Sequence, residues 1–315
     1  MDAIGGYFEL ELRKGEHFHK QAFRFNAARN CFEYILLARK YTKIYIPYYT
    51  CEVMLQPLQK YGIRYEFYSI NDRLEPIELP KLHSNEALLY TNYYGLKQSY
   101  VEFLAGIYGN QLIVDNAQAF FAPRVNGIDT FYSPRKFFGV PDGGYLYTDA
   151  ILQQNFVADK SYHRMQHLLL RIEEGAENGY SLFRKADESL DNQPIHQMSF
   201  LTERLLQNVD YSYIRKKRKE NFLFLQHSLS ESNKLVIKED DNFVPMIYPY
   251  LTVNVQLKKK LIDKRIFVAT YWPNVEKWCN ADSIECFLAR NLIAIPIDQR
   301  YGVREMSKIL DLIND

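Results

Sequence analysis

Apolar residues recur at two different periods through the first half of the chain, and the switching between them outlines a series of elements. Residues 26 to 41, NAARNCFEYILLARKY, set Cys31, Tyr34, Ile35 and Ala38 at helical spacing behind Asn26 as an N-cap, which predicts a helix starting near residue 27. KIYIP (43 to 47) reads as a strand, TCEVMLQPLQKYG (50 to 62) as a helix, and the alternating IRYEFYSI (63 to 70) as a second strand. The same succession resumes with ALLYTNYYG (87 to 95), a helical SYVEFLAGIYG (99 to 109) and the apolar strand QLIVDN (111 to 116). GIDTFYS and GGYLYT follow as two further short strands. Strands alternating with helices predict an α/β fold built on a mostly parallel sheet covered on both faces.

From about residue 151 to 231 the pattern turns helical, most clearly in HRMQHLLLRIEEGAE and MSFLTERLLQNV. The remainder mixes apparent strands, YPYLTVNVQ (248 to 256) and IFVATY (266 to 271), with a closing helix REMSKILDLI. Residues 1–231 are therefore expected to form a large α/β domain with a helical extension, and 232–315 a smaller α+β domain. No repeat and no Pro/Gly-rich linker separates them, so the two are expected to pack as one unit.

Composition narrows the function classes. Lys and Arg total 39 against 38 Asp and Glu, a formal charge of +1, so no global field favours nucleic acid or an anionic membrane. The one basic run, RKKRK at 215 to 219, is followed by Glu220 in a helical pattern and reads as a solvated helix face without a function. Cys31, Cys51, Cys279 and Cys286 lack CxxC spacing and histidines in ligand register, so no metal site is expected. The beginning of the chain lacks a signal-peptide pattern and no apolar run approaches the ~18 residues of a membrane span. A soluble, cytoplasmic protein with reduced thiols is the expectation. The 25 Tyr and 20 Phe suit a core and subunit contacts, where a buried ring keeps its hydroxyl paired.

Two stretches carry candidate chemistry. In FYSPRKFFGVPDGG, Ser133 and Lys136 lie three residues apart between two strands, ahead of a flexible Asp-Gly-Gly. The plain reading is a basic turn. The functional one is a lysine amine, made nucleophilic by its surroundings, that holds an aldehyde cofactor as a Schiff base, with Arg135 disfavouring a second charge beside it or binding phosphate. In LIVDNAQAF an apolar strand ends in Asp115, with Gln118 three residues on. A strand closing in an Asx-turn accounts for this. Pyridoxal phosphate chemistry accounts for it too, since a carboxylate must pair with the protonated pyridine nitrogen, and Gln118 could bond the ring's phenolic oxygen. In a parallel sheet both stretches fall at the carboxyl edge, where ligands gather.

The order NAARNCFEYIL, KIYIPYYT, YTNYYG, VDNAQAF, FYSPRKFFGVPDGG, KRKENF and LIAIPIDQRY resembles the DegT/StrS family of pyridoxal phosphate-dependent sugar aminotransferases, through most of the chain. The resemblance implies a fold type I transferase and an amino group passed from glutamate or glutamine to a keto-sugar nucleotide. It implies a homodimer, and a setting in surface-polysaccharide or antibiotic-sugar biosynthesis. Residue by residue it implies Asp115 as the partner of the pyridine nitrogen and Gln118 as the contact to the ring oxygen. Ser133 would touch phosphate and Lys136 would be the Schiff-base lysine and proton shuttle. The backbone amides of Ala28 and Arg29, opening a helix, complete the phosphate site, and Tyr49 or Cys51 lies near the ring face. An ungapped match puts Arg135 on the lysine position; a one-residue insertion before it puts Lys136 there and restores both the Ser-x-x-Lys spacing and the following glycine. The family's Gly-Thr pair is here Ala28-Arg29, and QPIHQMS stands where Gly-Tyr-Asn is usual. These differences leave a catalytically silent protein of the same fold, binding a nucleotide sugar or a partner, as the alternative. The family's sugar dehydratases replace the lysine with histidine, and no histidine lies between residues 129 and 148.

Overall fold

The computed structural model describes residues 4–238 and 243–315. β1 (Phe23–Phe25) leads into α1 (Ala28–Arg39), followed by β2 (Lys43–Pro47), α2 (Leu55–Lys60) and β3 (Arg64–Tyr68). The chain continues through β4 (Glu86–Thr91), α3 (Gln98–Tyr108), β5 (Leu112–Asn116), β6 (Asp129–Tyr132) and β7 (Gly144–Tyr147). These strands make one seven-stranded sheet in the order β1-β7-β6-β5-β4-β2-β3. β2 to β6 run parallel, and β7 is antiparallel to both of its neighbours. The structure is therefore the mostly parallel α/β sheet that the alternating pattern predicts.

The two periods explain which side chains go where. Strand residues alternate between faces. Ile113, Phe131, Leu89 and Ile46 pack on one face with Cys31, Phe32 and Ile35 of α1 and Leu58 of α2. Leu112, Val114, Leu88 and Tyr132 pack on the other with Val101 and Leu104 of α3. β4 and β5 are buried along their whole lengths, as central strands covered on both sides must be. Asp115 shares its parity with Ile113, so it leaves the end of β5 on the α1 side of the sheet.

The second half adds α4 (Gln166–Glu173), α5 (Tyr180–Glu188), α6 (Phe200–Gln207) and the long α7 (Tyr211–Leu229). β8 (Ile247–Leu251), α8 (Leu257–Asp263), α9 (Val275–Trp278), α10 (Ile284–Asn291), β9 (Leu292–Pro296) and α11 (Val303–Asn314) follow. β8 and β9 form a separate antiparallel pair whose core takes in Phe222, Leu225 and Leu229 of α7 and Met306 and Ile309 of α11.

Three sequence expectations need correction. IFVATY is not a strand; it contributes a single bridge, Ala269 to Ala294, while the partner of β8 is the LIAIP segment of β9. Both runs are apolar and short, and alternation alone does not say which one pairs. Asn26 does not cap α1: the N-cap is Ala27, and the Asn26 side chain binds Pro194 O and the His196 amide at 3.1 Å each. A tertiary contact takes the donor and acceptor that local capping would have used. The Asp-Gly-Gly stretch is packed, not flexible. A Cβ on Gly144 would lie 2.6 Å from Ala27 C, and one on Gly143, at φ +120°, would lie 2.8 Å from Pro134 Cγ. Among the described residues, no helix is long and apolar enough to cross a membrane.

Candidate active site

Three chain segments converge at the carboxyl edge of the sheet. β5 and β6 pair in parallel with Asp115 opposite Phe131 and Asn116 opposite Tyr132, so Asp115 and Ser133 leave adjacent strands side by side. The Asp115 carboxylate is buried and accepts a hydrogen bond of 2.7 Å from the Ala117 amide. Burial raises its pKa above the ordinary carboxylate value, while the Lys136 charge and the Ala117 amide pull it back down.

Ser133 stands before a single 3-10 turn, Pro134–Lys136, that points the next two side chains in different directions. Arg135 is mostly buried and donates to Asp187 at the end of α5, Nη1 to Oδ1 2.9 Å. Lys136 is exposed and opens on a cavity of about 160 Å³ shared with Arg218, Met246, Tyr271 and Asp298. The turn separates the two candidate cations: the arginine is committed to a structural ion pair, and the lysine amine faces the cavity.

The remaining predicted residues surround this point. Gln118 is fully buried; its Oε1 accepts from the Tyr94 amide (3.0 Å) and its Nε2 has no partner among the described residues. The Ser133 side chain is also buried. Ala28 and Arg29 open α1 ahead of its first intrahelical bonds, which Asn30 and Cys31 donate to Ala27 O. Gly143 N meets Asn26 O at 2.6 Å, tying the Asp-Gly-Gly stretch to that helix start. Cys51 precedes the 3-10 turn Glu52–Met54; burial raises its pKa, with opposing influence from Lys136 and Arg29 and further upward influence from Asp115. Tyr49 is fully buried and bound to Tyr94, Oη to Oη 2.9 Å, with its ring on Trp272.

Two residues that sequence reading passed over support the lysine loop. Asp142, fully buried, accepts from the Ser199 hydroxyl (2.7 Å), the Ser199 amide (2.9 Å) and the Thr202 hydroxyl, and so fastens the end of the loop to the start of α6. Arg218 was expected on a solvated face and is instead 2% exposed. It donates to Gln299 (3.1 Å) and to Met246 O (2.9 Å), and its guanidinium lies 4.6 Å from the Phe137 ring centroid. Burial lowers its pKa to about 10. Gln299 in turn donates to Phe137 O at 2.9 Å, so the residue after Lys136 is held from the β8–β9 side of the molecule. An acid directly before a glycine pair was the available signal for Asp142. The basic run hid Arg218, because charge alone does not tell which of five neighbouring cations faces inward.

No sequence family matches the chain and no curated protein aligns with it. Solved structures do match over most of its length. A DegT/DnrJ/EryC1/StrS aminotransferase from Brucella abortus is 14% identical with a TM-score of 0.65, over 93% of this chain and 85% of that one. The E. coli GDP-4-keto-6-deoxy-D-mannose-3-dehydratase with bound hydrated PLP is 14% identical at 0.64, over 92% and 87%. The sugar aminotransferase CalS13 from Micromonospora echinospora is 14% identical at 0.60, over 93% and 86%. The chain has the fold type I architecture of these pyridoxal phosphate (PLP) proteins.

Proposed function

We propose that the protein is a PLP-dependent aminotransferase that moves an amino group from an amino acid to a keto-sugar nucleotide. The observation that carries this reading is an exposed Lys136 that opens on a cavity just after the end of β6, with the buried carboxylate Asp115 at the end of the neighbouring strand β5. The residues fit the cofactor. Gln118 Nε2 is a buried donor with no partner among the described residues, suited to an acceptor such as a ring oxygen. PLP, when bound, supplies an aldehyde and an electron-withdrawing ring.

The chain's own residues would divide the work. Asp115, held by the Ala117 amide, carries the negative charge that keeps a ring nitrogen protonated. Lys136 Nζ would hold the cofactor through its aldehyde, and the same amine would serve as the group that accepts and returns a proton. Ser133 and the Ala28 and Arg29 amides receive phosphate. Substrates would reach Lys136 through the cavity that it shares with Arg218, Met246, Tyr271 and Asp298, and a second copy of the chain would complete the site as a homodimer.

One observation favours the alternative, a silent protein of the same fold. The loop that stands where the family has Gly-Tyr-Asn packs on its own α1, through Asn26 and through Asn30 Nδ2 to Gln193 O at 2.9 Å. The test for both is to add PLP, record the absorption spectrum, reduce with borohydride and map the labelled peptide. Label on Lys136, lost in Lys136→Ala, is expected, and amino donors with keto-sugar nucleotides should then give turnover. A spectrum without bound cofactor at saturating PLP selects the silent reading.

A further inference from the structure

A second cavity lies beside the β8–β9 pair, lined by none of the residues that line the Lys136 cavity. It holds about 310 Å³, the lower end of the range for small-molecule sites. Its lining is Asn254 and Val255 between β8 and α8, Lys258 of α8, Arg290 and Asn291 at the end of α10, and Ile293 of β9. Two of these six residues are cations, two are amides and none is a carboxylate. Lys258 is half-buried, and burial lowers its pKa. Its Nζ donates to Thr270 Oγ1, and no carboxylate among the described residues pairs with it. Arg290 gives Nε to Glu276 Oε2 at 2.9 Å and Nη1 to Ala281 O at 3.4 Å, which leaves Nη2 uncommitted among the described residues. Asn254 uses Oδ1 to accept from the Gln256 amide at 3.1 Å, and its Nδ2 donor makes no bond among the described residues. The wall therefore offers donors and a positive charge that the chain neutralises only in part. A half-buried ammonium without a counter-ion is unfavourable, and an anion in the cavity relieves it.

We infer that this cavity is a second ligand site, that it takes a small phosphate-bearing anion, and that Lys258 passes from Thr270 to the ligand when the site fills. A phosphate group presents three acceptor oxygens and the larger charge, so it engages the ammonium, the guanidinium edge and the amide together, where a carboxylate has only two oxygens to share. Val255 and Ile293 give the rest of a small molecule apolar contact. The position of the site gives it a route to the Lys136 cavity. Thr270 stands between Ala269 and Tyr271, both of which line that cavity. On β9, Ile293 and Ala294 are neighbours and face opposite sides of the strand pair. Ile293 lines the anion cavity, while Ala294 lines the Lys136 cavity and bridges to Ala269. When an anion takes Lys258, Thr270 loses its tether, and the segment that brings Tyr271 to the Lys136 cavity loosens. The anion site stands on its own residues; only its influence on catalysis rests on the PLP reading above.

The test is a calorimetric titration of the full chain with inorganic pyrophosphate, with malonate as the carboxylate control and no PLP present, followed by amide hydrogen exchange over residues 266 to 271. Pyrophosphate is expected to bind more tightly than malonate, and less tightly as salt is raised. Lys258→Gln should weaken it about tenfold, and Lys258→Arg, which keeps the charge, should restore it. Arg290→Gln is a second variant that should weaken binding in the same direction. Exchange at 266 to 271 should rise in the wild-type protein on adding pyrophosphate; in Lys258→Gln it should be raised from the start and unmoved by the anion. Pyrophosphate that binds the wild-type protein and Lys258→Gln equally well sits elsewhere, at the start of α1 for instance, and overturns the site. Malonate binding as tightly as pyrophosphate overturns the phosphate preference, and unchanged exchange at 266 to 271 overturns the handover from Thr270. Since the titration contains no PLP, a protein that labels with PLP at Lys136 and ignores pyrophosphate sinks this inference alone.

Discussion

Arg218 shows how one buried cation can organise a loop. It reaches Met246 O and Gln299 and covers the Phe137 ring, and no carboxylate among the described residues is paired directly with it. Truncation to Ala removes these bonds and leaves two buried acceptors and a large void. A loss of about 3 kcal/mol or more in urea denaturation is expected for Arg218→Ala. Asp142 makes a similar argument with an anion. Asp142→Asn would turn an NH2 toward groups that already donate, the Ser199 amide among them, and is expected to cost about 2 kcal/mol. It should also slow PLP labelling of Lys136, because the loop loses its tether to α6. Unchanged labelling would detach Asp142 from the site and leave it a helix cap. The Ser133-to-Lys136 spacing was readable in the sequence; that Arg135 turns away to Asp187 was not, because the partner lies 52 positions along the chain.

At the level of elements, close approach decides what a glycine is for. β7 starts against the backbone of Ala27 and Ala28, and Gly144→Ala would set a methyl within 3 Å of backbone atoms that belong to α1. Gly144→Ala is expected to destabilise by about 3 kcal/mol, with loss of PLP binding, since strand and helix must part. Gly106 offers the contrast: it lies within α3, exposed, with nothing within 4 Å of its missing Cβ. Gly106→Ala should stabilise by up to about 1 kcal/mol through helix propensity. Thermal unfolding of the two variants checks both signs. The sheet strands of the first half were legible because each buries one or two faces with clear periodicity. The β8–β9 pair was only half legible, since an apolar pentapeptide such as LIAIP fits strand or helix until its neighbour is known.

Across the whole molecule, two buried histidines set an acid limit. His17 Nδ1 meets Tyr145 Oη at 2.6 Å, and His19 Nε2 donates to Phe120 O at 2.8 Å, which leaves Nδ1 bare to accept from Tyr147 Oη at 3.3 Å. Burial lowers both pKa values to about 4, with Arg24 adding to the effect at His17. In the unfolded chain each would titrate near ~6.5. Above that value both states are neutral; between it and about 4 the unfolded chain binds more protons. Stability from these groups is therefore complete above pH ~6.5 and falls as pH drops toward 4, by up to ~1.4 kcal/mol per pH unit for each histidine. Urea midpoints at pH 7, 6 and 5 should decline, and His19→Gln should flatten the decline; a midpoint constant over that range would contradict the burial argument.

By itself the sequence determined the alternating α/β order, the buried central strands, and the spacing that sets Asp115, Gln118, Ser133 and Lys136 at one edge of a sheet. These are local properties: periodicity and short-range spacing depend only on neighbours in the chain. Tertiary structure decided which cation of Arg135 and Lys136 faces the cavity, which residue of the basic run goes inside, and that Asp191 rests on Arg29. Each of those outcomes depends on a partner tens to hundreds of residues away, and burial and charge pairing at that range exist only once the chain has closed on itself.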